Sequence, residues 1–532
     1  MAILFLLLAI APSLSFYLAQ SVLKRTADGR APIGGYFEMA KTGTLLSVLG
    51  ALIAVIVSIN NPSVSESAFV LLSGEVGPLL ALGVFIDRVG SIMWVLVGVI
   101  SFVIVAFSKR YLDGEARQLY FLKWLVITIS AVQLVVISSN LAMFLFAWLA
   151  VSLSLHRLLT FYSNRPAAML CAQQKFVVSR VGDLCVLAAL VLIARALGTL
   201  EFQALPEATS ALALRGEGQQ LSIAAILVAI GVVAKSAQLP FHAWLPQSLE
   251  TPTPVSALMH AGIVNAGGFL IIRLSSMLSN AHEASALLAI IGGLSALYGM
   301  SVMVTQTTIK KRLAYSTIGQ MGFMIMQCGL GLYALALLHI VAHGFYKAYA
   351  FLRAGSAMDQ AREQVFFPAR HPYHPIAAAL FVFLVVVGGA TGFHLFSEQL
   401  ITLNYLPILV VWGLAAAHLG WGIVSVRKVS ATSITVGGAF ALTLIASYVS
   451  ISYGMMHYVA SNVAGYPAVS TSVVLLLVVL SGLGFLFQIC GKTFTRSRLG
   501  RKIHIHIHNG LYFEAFSTRL VRYLRRRTAS QS

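Results

Sequence analysis

Charge is scarce in this 532-residue chain: 36 Lys and Arg with 17 Asp and Glu make up only 10% of it. An ordinary soluble domain carries roughly 25% charged residues, so a water-soluble surface could not be clothed with so few ionic groups. Cysteine is scarcer still. Cys171, Cys185, Cys328 and Cys490 lie far apart and form no CxxC, which excludes a disulfide framework and a zinc knuckle. No glycine-rich dinucleotide fingerprint follows a strand pattern, and no cysteine cluster could hold iron–sulfur, so neither a cofactor nor a metal is expected.

What is abundant is apolar: 58% of the residues are hydrophobic. They fall in runs of about 20, the length that crosses the hydrocarbon core of a bilayer. Fifteen spans are expected, starting near residues 1, 43, 91, 121, 141, 176, 221, 254, 285, 313, 334, 375, 407, 432 and 470. The first run, MAILFLLLAIAPSLSFYLAQ, lacks the basic n-region of a cleaved leader and reads as a span. The stretch 62–90 is the longest interruption, and reads as an extracytoplasmic loop or hairpin.

The formal net charge of +19 does not point to nucleic acid, because the basic residues cluster in alternate loops and in the last 40 or so residues. They fall at Lys24, Arg25, Arg30 and Lys41; at Lys109, Arg110, Arg117 and Lys123; at Arg165 and Lys175; and at Lys310, Lys311 and Arg312. Arg353, Arg362 and Arg370 follow, then Arg427 and Lys428, then the residues beyond Gly491. The opposite loops hold almost none except Arg215. That alternation is the positive-inside pattern, reinforced by anionic lipid headgroups. It predicts an odd number of spans, with the N-terminus outside and the C-terminus in the cytoplasm, as in a bacterial inner membrane.

Two halves of the chain look alike. Lys235 lies in a span interrupted by Pro240 and Pro246, and Glu398 in one interrupted by Gly388, Gly389 and Gly392. Two consecutive units of five spans would enter the membrane from opposite sides, and broken helices in inverted repeats mark a transport pathway. The expected fold is thus an all-α polytopic membrane protein of about 15 transmembrane helices with two inverted five-helix repeats. Its parts are helices 1–3 in 1–120, the repeats in 121–277 and 278–428, further helices in 429–490, and a basic cytoplasmic tail in 491–532.

Basic residues outside those basic loops are Arg88, Arg157, Arg180, Arg195, Arg215, Lys235, Arg273 and Lys347. Arg195 and Arg215 read as a span end and a loop, and Arg273 as a snorkelling side chain. Lys235 and Lys347 are deep in apolar runs, where an ammonium costs several kcal/mol and is functional by default. A lysine whose carboxylate partner can move is charged or neutral according to its surroundings, which makes it a store for a proton. His339, His343 and Lys347 recur at i, i+4 and i+8 on one helical face, a ladder that can hand protons on through water. His260 is a lone histidine that gains meaning only from its context. Among acids, Asp183 lies one turn after Arg180, which fits an internal ion pair as well as a relay role. Glu398 follows the glycine break, with His394 one turn before it.

Three blocks carry a family resemblance: VVAKSAQLPFHAWLPQSLETPTPVSALMHAGIVNAGGFLIIR (232–273), KKRLAYSTIGQMGFM (310–324) and HIVAHGFYKAYAFLRAGS (339–356). They resemble the antiporter-like subunits of respiratory complex I and of multisubunit cation/proton antiporters, and with the repeat the likeness covers about residues 80–425. The resemblance implies inverted five-helix units around a central row of titratable residues. By it, Lys235 is the central broken-helix lysine and His260 the adjacent histidine. Lys311 is the next basic site, His339, His343 and Lys347 form the second half-channel, and Glu398 takes the terminal broken-helix position. One departure stands out: in FAWLAVSLSLHRLL the acid expected directly after the tryptophan is Leu149, so Lys235 lacks its usual partner unless Asp183 substitutes.

The tail, GKTFTRSRLGRKIHIHIHNGLYFEAFSTRLVRYLRRR, has no long lateral helix followed by another span. It resembles the membrane subunits of inorganic-carbon accumulation complexes. That likeness implies cation flux, with protons the expected ion, energising CO2 hydration by a cytoplasmic DabA-like partner similar to a zinc β-carbonic anhydrase. The chain itself would be a transport subunit rather than an enzyme. His504, His506 and His508 share a face only in a strand, and no acid or cysteine stands beside them, so packing under a docked partner is favoured over a metal site. Arg519, Arg522, Arg525, Arg526 and Arg527 read as a basic face toward lipid headgroups or that partner, not toward nucleic acid. The alternatives are a proton-pumping subunit of an NADH–quinone oxidoreductase or a cation/proton antiporter, and a non-conducting membrane scaffold. Leu149 and the short tail count against the first, and the buried lysines against the second.

Overall fold

The computed structural model describes residues 1–23, 33–74, 76–215, 218–356, 403–426, 431–467, 469–494 and 497–529. Helices dominate, because inside a bilayer only internal hydrogen bonding satisfies the backbone. The first part comprises α1 (Ala2–Val22), α2 (Ile33–Asn60), the strands β1 (Ser63–Ser73) and β2 (Pro78–Asp87), α3 (Arg88–Tyr111), α4 (Gln118–Ile137) and α5 (Leu141–Leu159). Next come α6 (Pro166–Leu197), the short α7 (Leu205–Leu214), α8 (Gln219–Lys235), α9 (Thr253–Ala261), α10 (Ala266–Arg273) and α11 (Ser275–Ser279). The rest of the described chain forms α12 (His282–Met303), α13 (Ile309–Gly329), α14 (Tyr333–Leu352), α15 (Leu406–Val426), α16 (Ala431–Val459), α17 (Thr471–Phe494), α18 (Arg498–His508) and α19 (Phe513–Ala529).

Among the described residues, ten helical segments are long and apolar enough to cross a membrane, with shorter apolar helices at Gln219–Lys235, Leu403–Ala416 and Thr471–Gly484. The span expected near 375 and the second helix break lie outside the described residues, as do Glu398 and His394. Two expected starts move upstream. Helix α6 begins at Pro166, whose missing N–H costs nothing in the first turn, and α2 begins at Ile33.

The interruption after α2 is an antiparallel hairpin with Ser63 opposite Asp87 and Ser73 opposite Pro78. It is the one sheet among the described residues, and it departs from an all-helical reading. Polar residues at element ends fix the boundaries. The Asp87 carboxylate accepts the Gly90 amide at 2.8 Å to start α3, and the Asn140 side chain accepts the Met143 amide at 2.8 Å to start α5. Helices α12 and α13 pack backbone to backbone at Gly292, where a Cβ would stand 2.4 Å from the Met326 nitrogen.

Candidate functional site

Helix α8 stops at Lys235, and the following Ala237 takes a left-handed conformation with φ of 50°. The break expected from the prolines is therefore real and sits directly after the lysine. Helix α6 crosses α8 closely because Gly182 and Gly231 face each other, the Cβ of either standing 3.1 Å from the other's carbonyl oxygen. This crossing brings Asp183, next to Gly182, alongside Lys235, one turn after Gly231.

Between them stands Trp148 of α5. Its indole N–H donates to Asp183 Oδ1 at 2.8 Å, while Lys235 Nζ donates to the Trp148 carbonyl at 3.2 Å and lies 4.1 Å from the centre of its ring. Asp183 pairs with Arg180 at 2.6 Å, as the spacing allowed. Lys235 and Asp183 make no direct ion pair; Trp148 is their common neighbour. Leu149 packs against the apolar core.

Lys175, which the charge alternation places in a loop, is a buried residue of α6 instead. Its ammonium donates to Ser152 at the carbonyl (2.7 Å) and the hydroxyl (2.9 Å), and Arg180 donates to the same hydroxyl at 3.1 Å. Ser152 is one turn beyond Trp148, so α5 carries one polar face joining Lys175, Arg180, Asp183 and Lys235. The helix-start signal at Pro166 would have placed Lys175 inside a span.

A second group gathers around α13 and α14. His260 Nδ1 lies 3.0 Å from Thr317 Oγ1; Thr317 and Lys347 both donate to the Leu313 carbonyl, at 3.0 and 3.1 Å. Lys347 is fully buried, at 0% exposure, and no carboxylate among the described residues lies within ion-pair distance of it. His260 stacks on Phe351 with ring centres 4.2 Å apart. A break in the span expected near 254, which the sequence did not announce, falls at Gly262–Asn265, just after His260.

His343 is buried, and neither of its ring nitrogens has a hydrogen-bond partner among the described residues. It and His339 line a cavity of about 670 Å³ with Gln320, Tyr346 and Trp412. The two rings are 6.2 Å apart. The ladder on α14 thus leads from the cavity to Lys347. Lys311, at the start of α13, stands apart from both groups and pairs with Glu514 of α19 at 3.4 Å. No hydrogen bond among the described residues joins Lys235 to His260.

Arg273 does not snorkel. It forms a buried ion pair with Asp87 at 2.7 Å, both side chains 3% exposed or less, and lies over the rings of Phe85 and Phe269 at 4.7 and 4.9 Å. Arg88 is tied to the Tyr458 carbonyl at 2.8 Å. In the tail, His504, His506 and His508 lie on a helix rather than a strand, and His508 Nδ1 lies 2.9 Å from the Thr305 carbonyl of the same chain.

Residues 138–419 match the family described as NADH:quinone oxidoreductase/Mrp antiporter, TM. The chain is 37% identical over 453 residues to "Probable inorganic carbon transporter subunit DabB2" of Halothiobacillus neapolitanus, covering 83% of this chain and 80% of that protein. It is 42% identical over 284 residues to "Probable inorganic carbon transporter subunit DabB" of Hydrogenovibrio crunogenus, about half of each (52% and 54%). It is 36% identical to "NAD(P)H-quinone oxidoreductase chain 5" of a Synechocystis strain, over 52% of this chain and 41% of that one. Among solved structures, the fold is similar to the membrane-bound sulfane sulfur reductase, an archaeal respiratory membrane complex (TM-score 0.59, 18% identity, 96% of this chain and 98% of that one). It is also similar to the Mrp complex of a Dietzia species (TM-score 0.56, 21% identity, 98% of this chain and 57% of that one). The chain belongs to the NADH:quinone oxidoreductase/Mrp antiporter membrane family, among its DabB-type inorganic carbon transporter subunits.

Proposed function

We propose that this chain conducts protons across the inner membrane of a bacterium and thereby energises CO2/bicarbonate uptake by a cytoplasmic DabA-like partner resembling a zinc carbonic anhydrase. The hydration chemistry belongs to that partner; the chain contributes binding and release of protons at fixed points in the bilayer. The conducting groups are Asp183, Lys235, His260, Lys311, His339, His343, Lys347 and Glu398, joined by Lys175. In this reading two inverted five-helix units, 121–277 and 278–428, surround the row, with the N-terminus outside and the C-terminus in the cytoplasm.

The observation that carries the reading is Lys347, wholly buried with a backbone carbonyl as its bonded partner and, among the described residues, no carboxylate at ion-pair distance. Such a lysine costs several kcal/mol in hydrocarbon and could be replaced by leucine at a gain if the chain were only a scaffold. When it is an ammonium it can give a proton toward the His343 ladder, and the neutral amine can take one back. On the other side Trp148 lets Asp183 sense Lys235 without contacting it, a substitute for the acid replaced by Leu149.

The second reading, a pumping subunit of an NADH–quinone oxidoreductase or a cation/proton antiporter, is favoured by the likeness to chain 5. Purification from native membranes followed by mass spectrometry separates the two. A large soluble zinc protein as sole partner is the expected result. Several sibling membrane subunits would overturn it in favour of the second reading.

A further inference from the structure

Helices α18 and α19 fold back over the membrane helices at the end where Lys311 starts α13. Glu514, in the first turn of α19, accepts a hydrogen bond from the Tyr315 hydroxyl at 2.6 Å and pairs with Lys311 at 3.4 Å. Phe513 packs on His242 and Tyr298, with ring centres 5.0 and 5.9 Å apart. The Tyr298 hydroxyl donates to the Gly510 carbonyl at 2.9 Å, and Gln306 donates to that of His508 at 2.9 Å. Farther along, the Gln174 amide donates to Thr518 at 3.1 Å, beside the buried Lys175.

The turn between the two helices is built for this fit. Gly510 has φ of 58°, and a Cβ there would stand 2.7 Å from the Tyr315 hydroxyl oxygen, so a side chain would strain the backbone and push the segment off. Docking thus places one carboxylate, only partly open to water, against the outermost cation of the row. The same segment thus touches Lys311 and, through Gln174, the neighbour of the buried Lys175.

We propose that Glu514 is the proton-exchanging carboxylate at this mouth, supplied by the C-terminal segment rather than by any membrane helix; this rests on the proton-conducting reading above. The cycle balances. Lys311 passes a proton inward, by way of water, to the neutral amine of Lys347 and becomes a neutral amine itself; Glu514, having taken a proton from hydronium at the mouth, gives it to the Lys311 amine. The ammonium–carboxylate pair is restored and one proton has moved.

The test is proton flux in proteoliposomes holding the full chain with its copurified partners, followed by an internal pH dye. Glu514→Gln lowers flux about 100-fold, the usual worth of a positioned acid–base group, and Glu514→Asp keeps most of it. Tryptic protection of Arg501 and Arg519 reports whether the segment stays docked. If Glu514→Gln undocks it, the pair Gln174→Cys/Thr518→Cys locks it in place by a disulfide. Flux still lost in the locked Glu514→Gln protein supports the proposal; flux restored by locking, or unchanged in Glu514→Gln, overturns it. Lys347→Ala is run in parallel. Flux lost there but kept in Glu514→Gln defeats this inference alone, whereas flux kept in both defeats the conducting reading itself.

Discussion

Trp148 donates its indole N–H to the Asp183 carboxylate at 2.8 Å, and the same residue holds Lys235 by its ring and its carbonyl. One side chain therefore couples an acid and a base that do not touch. Trp148→Phe keeps the ring and removes the donor. A hydrogen bond to a charged group is worth about 1.5–3 kcal/mol, and the detergent-solubilised variant is expected to unfold earlier by that amount, with reduced flux. Wild-type melting and wild-type flux together would leave the coupling without substance.

Asp183→Asn preserves an acceptor for Trp148 but removes the charge facing Lys235 and Arg180. The expected outcome is an assembled protein with severely impaired proton flux, measured in vesicles. A near-silent variant would mean that Lys235 is switched by another group.

Asp87 and Arg273 make a buried pair at 2.7 Å. Removing one partner leaves an uncompensated charge, which costs about 3–5 kcal/mol, whereas replacing both with apolar residues of similar size is often close to neutral. Arg273→Met is thus expected to lower the yield of folded protein in the membrane sharply, and Asp87→Leu/Arg273→Met to restore it. Equal yields for the single and double variants would speak against the pair as a structural unit.

Gly292 lets α12 lie against the backbone of α13, with Met326 N 2.4 Å from where a Cβ would be. Gly292→Ala forces the helices apart at a cost of about 1–3 kcal/mol, the range for overpacking. A fluorescence-based thermal shift of the purified protein checks it, and an unchanged transition would show that the contact relaxes freely.

The apolar runs, the break after Lys235, the hairpin-sized gap at 62–90 and the face shared by His339, His343 and Lys347 were all legible in the chain, because each follows from local spacing. What escaped depends on partners distant in sequence. Arg273 looked free to snorkel because its acid, Asp87, is far upstream; Lys175 is the exception, since the helix start at Pro166 is a local signal that puts it inside a span. The docking of the tail through Glu514 and Gly510 had no local signature, since the hydroxyls that receive it belong to α12 and α13. Glu398, the terminal member of the expected row, lies outside the described residues, and its place in the relay rests on the sequence alone: the glycine break before it and the family resemblance.

The most direct test of the conducting row is proton flux through Lys347→Ala protein that inserts and assembles normally. The account predicts that flux, and with it uptake of inorganic carbon and growth at low CO2, is abolished while copurification with the partner is unchanged. Undiminished flux and uptake in that variant would contradict it.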